Sequence, residues 1–197
     1  MKNAGSDKGL DWHNYTEQYH ELFGSFVDEI KIVVEIGIGT QNSNFTSSMK
    51  SNAGYTVGGS LYGWKEYFPV ANIIGADIDK DILFSEDRIQ THYIDQTDPD
   101  SVKAFWETVI QEHTHIDVII DDGLHELHAA KSLWENSRDF LTGDFTYIIE
   151  DVDTAQLGAY REVFDEYADT YHIDYIEIQH PTNKTDNNII VIEPKTA

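Results

Sequence analysis

Ile116-Asp117-Val118-Ile119-Ile120-Asp121-Asp122-Gly123-Leu124-His125 and Phe145-Thr146-Tyr147-Ile148-Ile149-Glu150-Asp151 follow one plan: a short apolar run closed abruptly by acids. Such a run reads as a parallel strand buried on both faces, whose C-terminal end opens into a crevice. In open α/β sheets that edge is where ligands bind. Two such ends side by side make a site for a hard cation, with a histidine next to it.

The same signal recurs along the chain. Strand-like runs fall at 32–36, 73–77, 89–94, 116–121, 145–150, 171–178 and 188–192, with helical or loop segments between them. The pattern predicts a Rossmann-like three-layer sandwich of α/β class, with a seven-stranded, mostly parallel sheet. The strongest helix signal is at 100–111, where Asp98 caps, Pro99 suits the first turn, and Val102, Phe105, Trp106, Val109 and Ile110 recur at three- and four-residue steps. Weaker helical patterns cover 15–26, 61–68, 126–139 and 156–167. The connection 179–187 is rich in turn formers and too short for a helical crossover, so the sheet is expected to end in an antiparallel hairpin. About 20 residues from 40 to 60, rich in Asn, Ser, Thr and Gly, are expected to lie over the active site, with 42–60 the stretch to meet the acceptor.

Composition narrows the function classes. The 197 residues suit one domain, 1–197, with an amino-terminal helical segment over about 1–28. There is no cysteine, which excludes disulfides, zinc–thiolate sites and cysteine nucleophiles. With 36 acidic residues against 13 Lys plus Arg, the net charge of −23 makes nucleic acid and anionic membranes poor partners. No apolar run approaches the roughly 18 residues needed to cross a bilayer, and the first residues lack the plan of a signal peptide. A cytoplasmic protein without membrane insertion is expected, leaving the Asn-x-Thr triplets at Asn14, Asn44 and Asn183 unglycosylated.

Glu35-Ile36-Gly37-Ile38-Gly39 follows the first strand, and its glycines let the backbone approach a ligand closely. A dinucleotide fingerprint needs a third glycine or alanine where Asn42 stands, which disfavours NAD. Asp77, closing the second strand, can accept both hydroxyls of a ribose, and Asp95-Gln96 after the third can reach an adenine edge. This order of motifs resembles the class I S-adenosylmethionine-dependent methyltransferases. Taken with Gly58-Gly59-Ser60-Leu61-Tyr62-Gly63-Trp64-Lys65-Glu66-Tyr67-Phe68-Pro69, Asp95-Gln96-Thr97-Asp98, Asp121-Asp122-Gly123-Leu124-His125 and Glu150-Asp151, it resembles the Mg²⁺-dependent sugar O-methyltransferases. That group includes the mycinamicin and macrocin deoxysugar enzymes and methyltransferase domains found with glycosyltransferases in surface-glycan assembly. The match runs from about Asp7-Lys8-Gly9 to the final strand.

The resemblance implies S-adenosylmethionine and Mg²⁺ as cofactors and a sugar hydroxyl, on glycan rhamnose or another deoxysugar, as acceptor. It assigns the metal to Asp122, Glu150 and Asp151, the general base to His125, and cofactor contacts to Glu35, Gly37, Gly39, Ser60, Asp77, Asp95, Gln96 and Asp121. His13, Tyr15 and Tyr19 resemble the family's cofactor-facing amino-terminal segment, with packing an equal reading for the two tyrosines. Trp64, Trp106 and Trp134 read as core, Trp64 being the one able to flank the cofactor. Leu124 stands where the macrolide enzymes carry serine; there the chain is closer to the glycan-associated members, which points to a glycan sugar, and the resemblance to those members leaves glycosyltransferase association open. Two other readings fit the motifs: a catechol-type small-molecule methyltransferase, expected to have an enclosed aromatic slot, and a cofactor-binding glycosyltransferase partner without turnover, against which the intact acidic motifs argue.

Overall fold

A computed structural model describes residues 1, 4–9, 12–47, 49 and 55–195. Among these residues the chain forms eight strands and five α-helices. The strands are β1 (Ile32–Ile36), β2 (Asn72–Asp77), β3 (Ser85–Glu86), β4 (Ile89–Tyr93), β5 (Val118–Asp121), β6 (Thr146–Val152), β7 (Tyr171–Glu177) and β8 (Asn188–Pro194). The helices are α1 (Tyr15–Phe23), α2 (Gly59–Tyr67), α3 (Pro99–Glu112), α4 (Leu127–Ser137) and α5 (Leu157–Phe164). All strands join one sheet in the order β3-β4-β2-β1-β5-β6-β8-β7.

The core of the sheet is parallel: β1 pairs with β2 and β5, β2 with β4, and β5 with β6. The closing β7–β8 pair is antiparallel, as the short 179–187 connection requires. The sheet has eight strands where the apolar runs predict seven. The addition is β3, two exposed residues paired antiparallel with β4 across a tight turn in which Arg88 has φ 56°. A two-residue strand carries no periodicity. Arg88 is nonetheless anchored, because its guanidinium donates to the carbonyls of Lys65, Phe68 and Ala71 around the end of α2.

Side chains alternate across the sheet, and this alternation decides where the acids go. Ile32, Val34 and Ile36 of β1 pack with α3, α4 and α5, whereas Val33 packs with α1 and α2. Glu35 follows Val33 in phase and lies, fully buried, in the α1–α2 layer. On β5, Ile119 belongs to the α3–α5 side and Val118 and Ile120 to the α1–α2 side, which turns Asp121 and Asp122 to opposite faces. The helices present matching stripes: Tyr15, Tyr19 and Phe23 of α1 recur at four-residue steps and are buried. On α3 the expected cap is present, Asp98 accepting from the Asp100 N–H at 3.0 Å with Pro99 in the first turn.

From β1 the chain moves outward to β2 and β4 on one side, then crosses to β5 on the other. The switch point lies between the C-terminal ends of β1 and β5, the place where such sheets bind ligands. There the Asp122 N–H donates to the Ile36 carbonyl at 2.9 Å, and the Gly37 N–H to that of Ala76 at 2.8 Å.

Candidate functional site

A cavity of about 500 Å³ opens at this switch point, within the range usual for a cofactor site. Of the residues singled out in the sequence, Gly37, Gly39, Ser60, Asp77, Asp95, Gln96, Asp122 and His125 line it. The described part of the long loop contributes Thr40, Asn44, Phe45 and Tyr55 to the wall. Its residues 48 and 50–54 lie outside the described set.

Each wall residue is set by local chemistry. Gly37 has φ 91°, and a Cβ there would collide with the Asp122 carbonyl oxygen, so the two strand ends approach only because residue 37 lacks a side chain. Gly37→Ala is accordingly expected to destabilise the fold by about 1–3 kcal/mol, lowering the denaturant midpoint with the slope unchanged. Asp77 accepts from the Ile38 N–H at 3.0 Å and the Asp79 N–H at 2.9 Å, which ties the end of β2 to the glycine turn. Burial raises the Asp77 pKa, and these backbone donors offset the effect only partly. Asp95 accepts from both the N–H and the hydroxyl of Thr97.

The Gln96 side chain is already committed. Its Oε1 accepts from the Leu124 N–H at 2.7 Å, and its Nε2 donates to Asp121 at 3.1 Å. Asp121 does not line the cavity. It faces the α3–α5 layer, where burial pushes its carboxyl up to about 6 against the hydrogen bond from Gln96. Expected as a cofactor contact, Asp121 meets the cavity wall through Gln96 and through the Gly123 N–H, which donates to it at 3.4 Å. Glu35 also lies behind the wall, because alternation along β1 turns it into the α1–α2 layer. It accepts there from the Ser60 hydroxyl at 2.7 Å and the Trp64 indole at 3.2 Å. Trp64 is thereby fully buried against Glu35 and Tyr19 and does not flank the cavity.

The acids form a continuous centre at one end of the cavity. Two groups, Glu35–Asp122–Glu150 and Asp122–His125–Asp151, each bring their potential ligand atoms within 4.8 Å of one another. Asp122 belongs to both, so the triad Asp122, Glu150 and Asp151 is divided between two halves that meet at Asp122. Consecutive strand residues ordinarily point to opposite faces, yet Glu150 and Asp151 both serve this centre. The reason is an irregularity in β6: its register against β8 shifts between Ile149 and Val152, and Asp151 adopts φ 54°.

His125 also has positive φ, 57°, in the turn before α4. Its Nε2 lies 3.2 Å from Asp122 Oδ1 and its Nδ1 3.4 Å from Asp151 Oδ2. Burial disfavours the imidazolium, but these carboxylates outweigh it and raise the pKa to about 10. His128, three residues on, is exposed and paired with Glu126, outside the centre.

The amino-terminal aromatics occupy a different place from the one their resemblance implies. His13, Tyr15 and Tyr19 do not line the cavity; they back the carboxylates. The Tyr15 hydroxyl donates to Asp151 Oδ1 at 2.8 Å and accepts from the Asp151 N–H at 3.1 Å. Tyr19 donates to Glu150 Oε1, and His13 Nε2 stands 3.6 Å from Asp151 Oδ1. Burial and the neighbouring carboxylates raise both phenol pKa values far above the ordinary one, so these hydroxyls stay donors.

Sequence reasoning missed the role of Lys8. Its side chain is buried, and its ammonium binds Glu150 Oε2, Asp122 Oδ2 at 2.5 Å and Glu35 Oε1 at 3.1 Å. Burial alone would lower the Lys8 pKa, but the three carboxylates raise it well above the ordinary value. Burial opposes ionisation of Asp122 too, yet Lys8 and His125 hold its carboxyl at about 2. The donor set, four carboxylates and one imidazole with no thiolate, suits a hard divalent cation, and the ammonium demonstrates that these oxygens can surround a positive charge.

Comparison with known proteins adds sequence and fold relatives. The chain is 32% identical over 163 residues to the 8-demethyl-8-alpha-L-rhamnosyl tetracenomycin-C 2'-O-methyltransferase of Streptomyces olivaceus, the match covering 82% of this chain and 39% of that one. It is 32% identical over 155 residues to the 8-demethyl-8-(2-methoxy-alpha-L-rhamnosyl)-tetracenomycin-C 3'-O-methyltransferase of the same species, covering 79% and 36%. Among solved structures, the MycE methyltransferase from the mycinamycin biosynthetic pathway, in complex with Mg, SAH and mycinamycin VI, superposes with a TM-score of 0.70 at 21% identity. That superposition covers 98% of this chain and 52% of that chain. No family model matches. The chain thus spans about two fifths of the length of the curated relatives and about half of the structural one. No helix among the described residues is long and apolar enough to cross a membrane.

Proposed function

We propose that this chain, which has the class I S-adenosylmethionine-dependent methyltransferase fold and is related in sequence to the sugar O-methyltransferases, transfers a methyl group to a sugar hydroxyl with the help of Mg²⁺. The observation that carries the reading is the juxtaposition of the Asp122–His125–Asp151–Glu150 centre with a cofactor-sized cavity at the β1–β5 switch point. Relatives that act on rhamnosyl groups support a deoxysugar acceptor. Asp7, Thr40, Asn44, Thr46 and Ser47 supply hydrogen-bonding groups for a sugar to a wall that also carries Phe45, Met49 and Tyr55.

In this reading Asp77, Gly37 and Gly39 hold the nucleoside end of S-adenosylmethionine, with Asp95 and Gln96 at the base. Asp122, Glu150 and Asp151 hold the metal. Bound there, Mg²⁺ would orient a sugar hydroxyl and make it more acidic. His125 takes the hydroxyl proton on one ring nitrogen while a carboxylate holds the N–H of the other. The sugar oxygen bonds to the methyl carbon as the carbon–sulfur bond breaks, leaving the demethylated cofactor and a methyl ether. Tyr15 and Tyr19 keep Asp151 and Glu150 aimed by donating from behind.

The test is methyl transfer from labelled S-adenosylmethionine to rhamnosyl and other deoxysugar acceptors, with Mg²⁺ titrated. Turnover is expected to rise with Mg²⁺ and to vanish in excess chelator. Transfer that continues undiminished in chelator excludes the metal role, and a preference for catechols over all sugars excludes the acceptor.

A further inference from the structure

We propose that Lys8 is a tethered competitor for the carboxylate centre: its ammonium occupies the cation position until a divalent ion displaces it, so Lys8 sets the metal affinity of the site. The inference rests on the Mg²⁺ reading above. An ammonium has three N–H donors, and here three different carboxylates, Asp122, Glu150 and Glu35, surround one ammonium in a buried pocket. Two of those three are the residues proposed to bind Mg²⁺. With the ammonium on Asp122 Oδ2 and Glu150 Oε2, fewer lone pairs face a metal, and two positive charges this close repel strongly where water is excluded.

Glu35 gives the displaced ammonium somewhere to remain. It belongs to the half of the centre that holds Lys8 and not to the half with His125 and Asp151, and it keeps Ser60 and Trp64 as further donors. Lys8 itself sits in a turn rather than in a helix or strand, with its N–H on the Ser6 hydroxyl at 3.3 Å. Ser6, Asp7 and Lys8 all line the cavity, so withdrawal of the ammonium also alters the wall against which the cofactor would pack.

The experiment is Mg²⁺ titration by calorimetry, with Mn²⁺ binding followed by electron paramagnetic resonance as a second readout, on the wild-type chain, Lys8→Met and Lys8→Arg. Lys8→Met is expected to bind the metal about tenfold or more tightly than wild type, whereas Lys8→Arg, which keeps the charge, binds no more tightly than wild type. Thermal melting supplies an independent check. Without metal, Lys8→Met melts below wild type because its carboxylates have lost their counter-charge, and Mg²⁺ raises its transition more than it raises that of wild type. If Lys8→Met folds only with metal, refolding in Mg²⁺ and back-titration with chelator gives the affinity. Wild type and Lys8→Met binding Mg²⁺ equally, or Lys8→Met binding more weakly, overturns the competitor role and leaves the metal site standing. Failure of both to bind Mg²⁺ or Mn²⁺ overturns the metal site, and the competitor role with it.

Discussion

Asp122→Asn is expected to lower methyl transfer by about 10³-fold or more, corresponding to roughly 4 kcal/mol of lost transition-state stabilisation. Asp122 is the residue common to both halves of the centre: one oxygen meets the Lys8 ammonium and the other faces His125. The amide keeps the size but removes the charge, and it turns an N–H toward one of two cationic partners. In the proposed mechanism it weakens the metal and disorients the base at once, so kcat and metal affinity fall together. The same substitution has a stability signature without metal. Because the folded carboxyl is held at about 2, its contribution is present above the ordinary value near 4 and is lost as pH falls through about 2. At neutral pH the metal-free Asp122→Asn chain therefore melts lower than wild type, and the two converge in strong acid. Activity within tenfold of wild type at saturating Mg²⁺ contradicts the assignment.

His125→Ala is expected to lower kcat by about 10²–10⁴-fold while leaving cofactor affinity nearly unchanged. The pH dependence separates a base from a structural residue. In the metal-free protein the imidazole is held charged up to about 10, against an ordinary value near 6.5. Its ion pairs thus contribute fully below about pH 6.5, and that contribution is lost as pH rises through about 10. A base must be neutral, so in the proposed mechanism a bound divalent ion would compete for Asp122 and Asp151 and loosen their hold on the imidazolium. The midpoint of the pH–rate profile is therefore expected to fall as Mg²⁺ is raised. A midpoint independent of Mg²⁺, or an alanine variant with wild-type kcat, removes His125 from the proton transfer.

Much of this architecture was legible because apolar runs and turn chemistry are local signals. The run Ile32-Val33-Val34 marks a strand buried on both faces, Asp98-Pro99 marks the start of α3, and the short 179–187 link forces an antiparallel pair. Strand ends lying side by side bring Asp122, His125 and Glu150 to one place, whereas Asp151 joins them through the irregularity in β6. What stayed hidden depends on phase and on distant partners. Alternation along β5, available in principle, separates Asp121 from Asp122, but two adjacent acids in a quoted motif read as one cluster. Packing was a legible reading for Tyr15 and Tyr19, which share a four-residue step with Phe23, but their partners Asp151 and Glu150 were not. Lys8 could not be read as central, since its three partners lie 27, 114 and 142 residues away in sequence and only the fold brings them together.

The irregular residue in β6 acts as a cam within an otherwise regular strand. By adding one step to the backbone between Ile149 and Val152, it rotates Asp151 toward the side Glu150 already faces, while Val152 returns to the opposite layer in phase with Ile149. Removing that step would let the ribbon run straight and swing one acid into greasy surroundings, with the rest of the sheet free to close as before. A one-residue deletion there is thus expected to part assembly of the scaffold from assembly of its chemistry.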